Sequence, residues 1–356
     1  MVSFFKQALF AGLLVFLLAG CETMSYYGQA VTGQFAIISS RQDIDELMAD
    51  ETTSQALRHK LQLVQDVRQF AATELQLPVA DAYSQYVALD RDYVVWNVFA
   101  AEEFSVAPNQ WCFLLVGCVG YRGYFSKDDA VVKAEALKAE GYDVHVGGVA
   151  AYSTLGWFDD PVLSSFINRN DVELAALLIH ELAHRKLYIK GDTTFNESFA
   201  TVVEQQGLTL WLKQQPQQQA AAFAEYLAAR QQREAVIALV MAYRHRLELL
   251  YQSAMEPALK RQHKRQILDA LRNDYQAMKQ EHHWPATYDI WIATMNNAKL
   301  AAVGSYHVLV EPLQKVLMER NHGDFAAFYA DLARLKSLPN DQRQQQVAGW
   351  AAAFAE

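Results

Sequence analysis

The pentapeptide His180-Glu181-Leu182-Ala183-His184 places two imidazoles four positions apart with a carboxylate between them. On an α-helix that spacing sets the histidines about 40° apart and roughly 6 Å along the axis, so both can reach one metal ion. Glu181, one position after His180, cannot bind the same ion from that helix and is the candidate general base for an activated water. Together these residues point to zinc-dependent hydrolysis. The bland alternative is two hydrogen-bonded core histidines and a surface glutamate. It needs a separate partner for each polar group inside the apolar run 174–187.

A catalytic zinc takes three protein ligands and keeps one position for water, so a further His, Asp or Glu is expected soon after the motif. The stretch Lys190-Gly191-Asp192-Thr193-Thr194-Phe195-Asn196-Glu197 supplies one. Gly191 is expected to end the first helix, and Asp192 to Thr194 offer caps for the next. Glu197 then falls in the first turn, where an antiparallel return brings it to the histidines. The competing reading is a capping box, Thr194-x-x-Glu197, in which Glu197 bonds a backbone N–H instead. Glu204, on the same helical face, is either an alternative ligand or the carboxylate that orients a ligating imidazole through its other nitrogen. Asp192 is a candidate for the latter role from the turn.

Beyond the motif, several segments resemble the predicted aminopeptidase family of bacterial envelope lipoproteins. They are Phe195-Asn196-Glu197-Ser198-Phe199-Ala200, Glu204-Gln205-Gln206-Gly207, Trp111-Cys112, Cys118-Val119-Gly120-Tyr121-Arg122-Gly123-Tyr124-Phe125, Tyr152-Ser153-Thr154-Leu155-Gly156-Trp157, and Asn296-Asn297-Ala298 with Ser305-Tyr306-His307. The resemblance covers most of the mature chain. It implies a metallopeptidase similar to the gluzincins, with His180, His184 and Glu197 holding one Zn2+ per chain. It also suggests Tyr306 or His307 as the donor that stabilises the tetrahedral oxyanion. Twelve residues separate His184 from Glu197, fewer than in thermolysin-like enzymes, so the detailed geometry of those enzymes does not transfer.

Residues 1–20 carry Lys6, an apolar segment over 8–18 and then Leu18-Ala19-Gly20-Cys21, which resembles the lipobox of bacterial lipoprotein precursors. The expected mature chain begins at a lipid-bearing Cys21. An uncleaved anchor helix, the alternative, also puts the body outside the cytoplasm. Glu22 is not the aspartate associated with inner-membrane retention. The expected address is therefore the cell envelope, periplasm-facing and on the outer rather than the inner membrane. Of three cysteines, Cys112 and Cys118 remain as one disulfide pair for an oxidising compartment, with buried free thiols as the alternative. The formal net charge of −9 argues against nucleic acid, and the dense basic cluster Lys260-Arg261-Gln262-His263-Lys264-Arg265 reads as a solvated helix face.

These residues need a scaffold, and 356 residues with 52% hydrophobic content can bury a substantial core. Residues 40–77 are helical by apolar pattern; 93–100 and 111–124 look like strands, 128–140 an amphipathic helix, and 142–152 strand again. From Asp171 the pattern is almost wholly helical, with breaks near Gly191, 214–219, Pro257, Pro285 and Pro339. The expected fold is α+β, an N-terminal helix and small mixed sheet followed by a mainly helical zincin-like body. Its divisions are a signal peptide (1–20), an α+β lobe (21–160) and a helical lobe (161–356).

HExxH peptidases commonly hold an extended substrate on an edge strand beside the active helix. Residues 149–153 fit that place, with Ala151 and Tyr152 as candidate substrate contacts. An internal strand paired on both sides is the alternative. Glu102-Glu103 is a candidate, though weakly marked, for holding a substrate α-ammonium group. The reading these observations favour is a zinc peptidase, an aminopeptidase by resemblance. The alternatives are a catalytically silent zinc-stabilised envelope scaffold and a metal-free interaction lipoprotein.

Overall fold

Short polar caps, as much as apolar runs, decide where the elements of this chain begin and end. The structure, a computed structural model, describes residues 24, 26–113, 117–151, 159–214, 220–304 and 309–353. Helix α1 (residues 26–39) is followed by β1 (Gln42–Asp43), α2 (Ile44–Ala49) and α3 (Gln55–Thr73). The single helix expected over 40–77 is therefore divided. Asp43 caps α2, Asp50 bonds the amide and hydroxyl of Thr52, and Ser54 caps α3, which folds one apolar stripe into two.

Next come β2 (Gln85–Val87), β3 (Val95–Ala101), β4 (Trp111–Phe113), β5 (Gly117–Val119), β6 (Arg122–Tyr124), α4 (Lys127–Ala139), β7 (Asp143–Val149), β8 (Val162–Leu163) and α5 (Ser164–Ile167). The strand-like run 111–124 is three short strands, of which β4 and β5 form an antiparallel hairpin with Cys112 opposite Cys118. Strands β6, β3 and β7 make an antiparallel sheet, and β1, β2 and β8 a small mixed one. Along β3 the period of two sends Trp96, Val98 and Ala100 against Ala130, Ala134 and Leu137 of α4, leaving Asn97 and Phe99 on the other face.

The rest is helical: α6 (Asp171–Lys186), α7 (Thr193–Lys213), α8 (Ala220–Gln252), α9 (Pro257–Glu281), α10 (Asp289–Ala293), α11 (Asn297–Gly304), α12 (Val310–Lys315), α13 (Phe325–Ala333) and α14 (Asn340–Ala352). The fold is thus α+β, with small sheets and a mainly helical body. Pro257, Pro285 and Pro339 stand at helix starts, where a missing N–H removes no intrahelical bond.

Helix α6 is apolar on most of its surface and packs on α3 and α7, in a core that draws residues from both sides of position 160, among them Leu61, Phe70, Phe199 and Phe328. A Cβ added to Gly207 of α7 would stand 2.6 Å from Leu75 Cδ1 and 3.1 Å from Ile179 Cγ2. A glycine there is what lets α7 lie close to α6. A second core joins α8 and α9 to Ile292 and Leu300. The basic segment of α9 is a solvated face only in part, with Arg261, Gln262 and Arg265 exposed: Arg261 grips both carboxylate oxygens of Glu103 at 2.6 and 2.8 Å, and Lys264 pairs with Asp143 at 2.8 Å. These contacts clamp the α8–α9 hairpin to the sheet. They also occupy Glu103 on a guanidinium.

Candidate metal centre

Helix α6 begins where Asn170 accepts the amide of Glu173 at 2.8 Å, with Asp171 and Glu173 in the first turn and His184, Arg185 and Lys186 in the last. Both ends suit the helix dipole. The helix stops at Lys186, because Leu187 turns extended at φ −145° and ψ 119°. Gly191, at φ +80°, therefore serves the connection to α7 rather than ending α6 itself. The connection is fixed by a residue whose structural role is not evident from spacing alone. Buried Asn196 donates to the carbonyl of Ile189 and accepts from its amide, both at 2.8 Å. Asp192 caps α7 by accepting the amide of Phe195 at 3.0 Å. With Asp192 as the cap, Thr194 and Glu197 do not stand as the ends of a capping box, and Glu197 turns towards α6.

His180 Nε2 lies 3.5 Å from one Glu197 oxygen and His184 Nε2 lies 3.8 Å from the other, with the two imidazole planes nearly perpendicular at 81°. One ligand atom from each of the three residues lies within 4.8 Å of the others. Two imidazoles and a carboxylate are the donor chemistry of a zinc site with an open position. On the far side of the His180 ring, Nδ1 is 3.0 Å from Glu204 Oε2, and the Tyr226 hydroxyl donates to Glu204 Oε1 at 3.2 Å. Glu204 thus stands behind His180, where a carboxylate fixes the ring and its tautomer, leaving Nε2 to face the centre. His184 Nδ1 is buried and has no hydrogen-bond partner among the described residues.

The electrostatics of the site are those of groups crowded out of water. Burial pushes the Glu181 carboxyl up to about 7, with Glu197, Asp160 and Glu204 adding to the rise and His180 opposing it. Burial pushes His184 down to about 4, so the ring is neutral at pH 7 and keeps a lone pair for a cation. At His180 burial acts downward too, but Glu197 and Glu204 outweigh it and hold the imidazole well above its ordinary value. The same contact keeps Glu204 below the usual carboxylate range in spite of its burial. Three acidic side chains around two imidazoles make a site whose charge favours a cation.

The remaining candidates fall elsewhere. The Asp192 carboxylate is taken by its cap and by buried Arg343 of α14, so it orients no imidazole. Strand β7 pairs with β3 alone among the described residues, but its strand character ends at Val149. The carbonyl of Ala150 accepts from Ser165 of α5 at 2.5 Å, and Ala151 is partly buried against the main core rather than continuing the strand. Cys112 and Cys118 are joined by a disulfide across the β4–β5 hairpin. Cys21, Tyr152, Tyr306 and His307 lie outside the described residues.

Sequence reasoning did not single out Tyr121, between β5 and β6. With Gly120 and Cys118 it lines a cleft whose other wall is Gly191 to Thr194, where α7 begins; none of the three candidate ligands lines that cleft. Its ring packs on Phe99, which stacks in turn on His145 of β7. Burial pushes the phenol up to about 12, with Glu197 the next cause and Tyr188, Tyr26 and Glu181 adding to it. It is a neutral donor held within electrostatic range of the site. The only hint in the sequence was a Gly-Tyr pair in a segment that otherwise reads as strand.

A family model described as "Putative aminopeptidase" matches residues 25–347. Searches of curated proteins and of solved structures find no match.

Proposed function

The chain belongs to this aminopeptidase family, and we propose that it is a zinc-dependent peptidase that removes residues from peptide N-termini, with Glu181 as its general base. The observation that carries the reading is the convergence of His180, His184 and Glu197 within 4.8 Å on adjoining helices, with Glu181 partly buried beside them. A zinc ion held by those three residues would supply Lewis acidity towards a carbonyl and make a water acidic near neutral pH. Glu181, one position after His180 on α6, is placed to accept a proton from the attacking water and return it to the leaving amine. Glu204 holds the His180 ring in place through Nδ1. By resemblance, Tyr306 or His307 donates to the developing oxyanion. Cys21 carries the lipid that keeps the enzyme in the envelope, facing the periplasm.

The test is metal analysis combined with incubation of the zinc-loaded protein with a mixed peptide library. Wild type is expected to hold one zinc per chain and to shorten peptides stepwise from the N-terminus, with loss of cleavage on chelation. Glu181→Gln should keep its zinc and lose turnover by 10²-fold or more. Zinc binding without cleavage of any peptide would make the centre a structural one, and internal cuts would make the enzyme an endopeptidase.

A further inference from the structure

Helix α1 has two faces with different fates. Tyr26 stacks on Phe113 and meets Tyr124 edge-on, both at 5.5 Å, and the Arg122 guanidinium lies 4.2 Å over its ring. Gln29 accepts the amide of Phe125 at 3.0 Å, a Cβ on Gly33 would overlap the Phe125 ring, and Ile37 is buried. Positions 26, 29, 33 and 37 form one stripe of the helix, and it is docked on β4 and β6. The opposite stripe is Met24, Tyr27, Val31 and Phe35, exposed by 78%, 43%, 68% and 68%. Between Glu22 and Arg41 no residue carries a charge. Apolar side chains of this size on a charge-free, outward-facing helix mark a surface that is covered by something.

The chain itself says what covers it. Three residue steps separate Cys21 from Met24, a span of at most about 11 Å. A lipid on Cys21 fixes that residue in the headgroup layer, so the start of α1 cannot leave the membrane surface. No helix among the described residues is long and apolar enough to cross a membrane, and a helix with one docked stripe and one exposed apolar stripe is suited to lie on one. We propose that the outward stripe of α1 lies in the headgroup–acyl boundary of a phospholipid membrane and, through the docked stripe, sets how the body stands over the surface. This rests on the lipid anchor of the proposed function for the identity of the partner, although the helix requires no acyl chain to bind. With no basic residue between 22 and 41, the attraction is apolar contact rather than charge.

Two preparations test it. The chain from Glu22, which retains every described element, is floated with vesicles of phosphatidylethanolamine and phosphatidylglycerol. Binding is expected, and Val31→Ser with Phe35→Ser should weaken it about tenfold without moving the thermal midpoint. Absence of flotation, or equal flotation of the double variant, overturns the inference. So does a dimer in vesicle-free solution that the double variant abolishes, since the stripe would then cover a second copy. The full acylated chain is reconstituted with a diazirine-bearing phospholipid and mapped for adducts. Adducts on residues 24–39 are expected, and their absence from a chain whose acyl mass is intact overturns the inference while leaving the anchor standing. Flotation without any acyl mass on Cys21 overturns the anchor alone.

Discussion

The two ring nitrogens of His180 face different carboxylates, and that division determines what each acid does. Nε2 faces Glu197 and Nδ1 faces Glu204, which also accepts from Tyr226. In the sequence Glu197 and Glu204 sit seven apart on one helical face, so spacing alone leaves both open as ligands. The choice is made by the close approach of α7 to α6 at Gly207, which depends on side-chain volumes far along the chain. Glu204→Gln keeps the shape and an acceptor oxygen but removes the charge that makes His180 a better donor. We expect zinc affinity to fall by 10- to 100-fold, read by competition with a chromophoric chelator, with the metal-free chain still folded. Unchanged affinity would remove Glu204 from the site.

Elements differ in how far the sequence discloses them. Helix α6 is legible because the HExxH spacing, the apolar run and the caps agree, and bringing His180, Glu181 and His184 together needs only a helix. Residues 40–77 read as one helix because an apolar stripe persists through Asp50 and Ser54, whose local bonds break the backbone but not the pattern. The strand expected to hold substrate stops at Val149 because α5 claims the next carbonyl, a tertiary contact no window reports. Asn196 belongs to the same class. Its amide closes residues 187–192 into a fixed connection, and Glu197 follows it directly. Asn196→Ala leaves the amide and carbonyl of Ile189 without their partners inside the protein. A loss of about 1–3 kcal/mol is expected in denaturant unfolding of the metal-free chain, with weaker zinc binding because Glu197 loses its fixed approach. Stability lost with zinc affinity unchanged would show that Glu197 is held by α7 alone.

Across the whole molecule the site is closed by a residue more than a hundred positions away. Arg343 of α14 is buried and bonds the Asp192 carboxylate, while its other nitrogens donate to the carbonyls of Leu335 at 3.2 Å and Leu338 at 2.6 Å. Asp192 is at once the cap of α7, so the C-terminal helix is tied to the turn that delivers Glu197. No local pattern announces the pair: Asp192 reads as a helix cap or an imidazole partner, and nothing in the sequence links it to Arg343. A buried ion pair is a modest net stabiliser, but removing one partner strands the other charge. Arg343→Met is therefore expected to cost about 3–5 kcal/mol in equilibrium unfolding and to weaken zinc binding through α7. Pairing it with Asp192→Asn separates this account from lost packing. If the penalty is a stranded carboxylate, the double variant regains part of the stability that Arg343→Met loses, because the charge left behind is gone. If the two losses simply add, Arg343 holds α14 through its carbonyl contacts, and the ion pair has no part in placing Glu197.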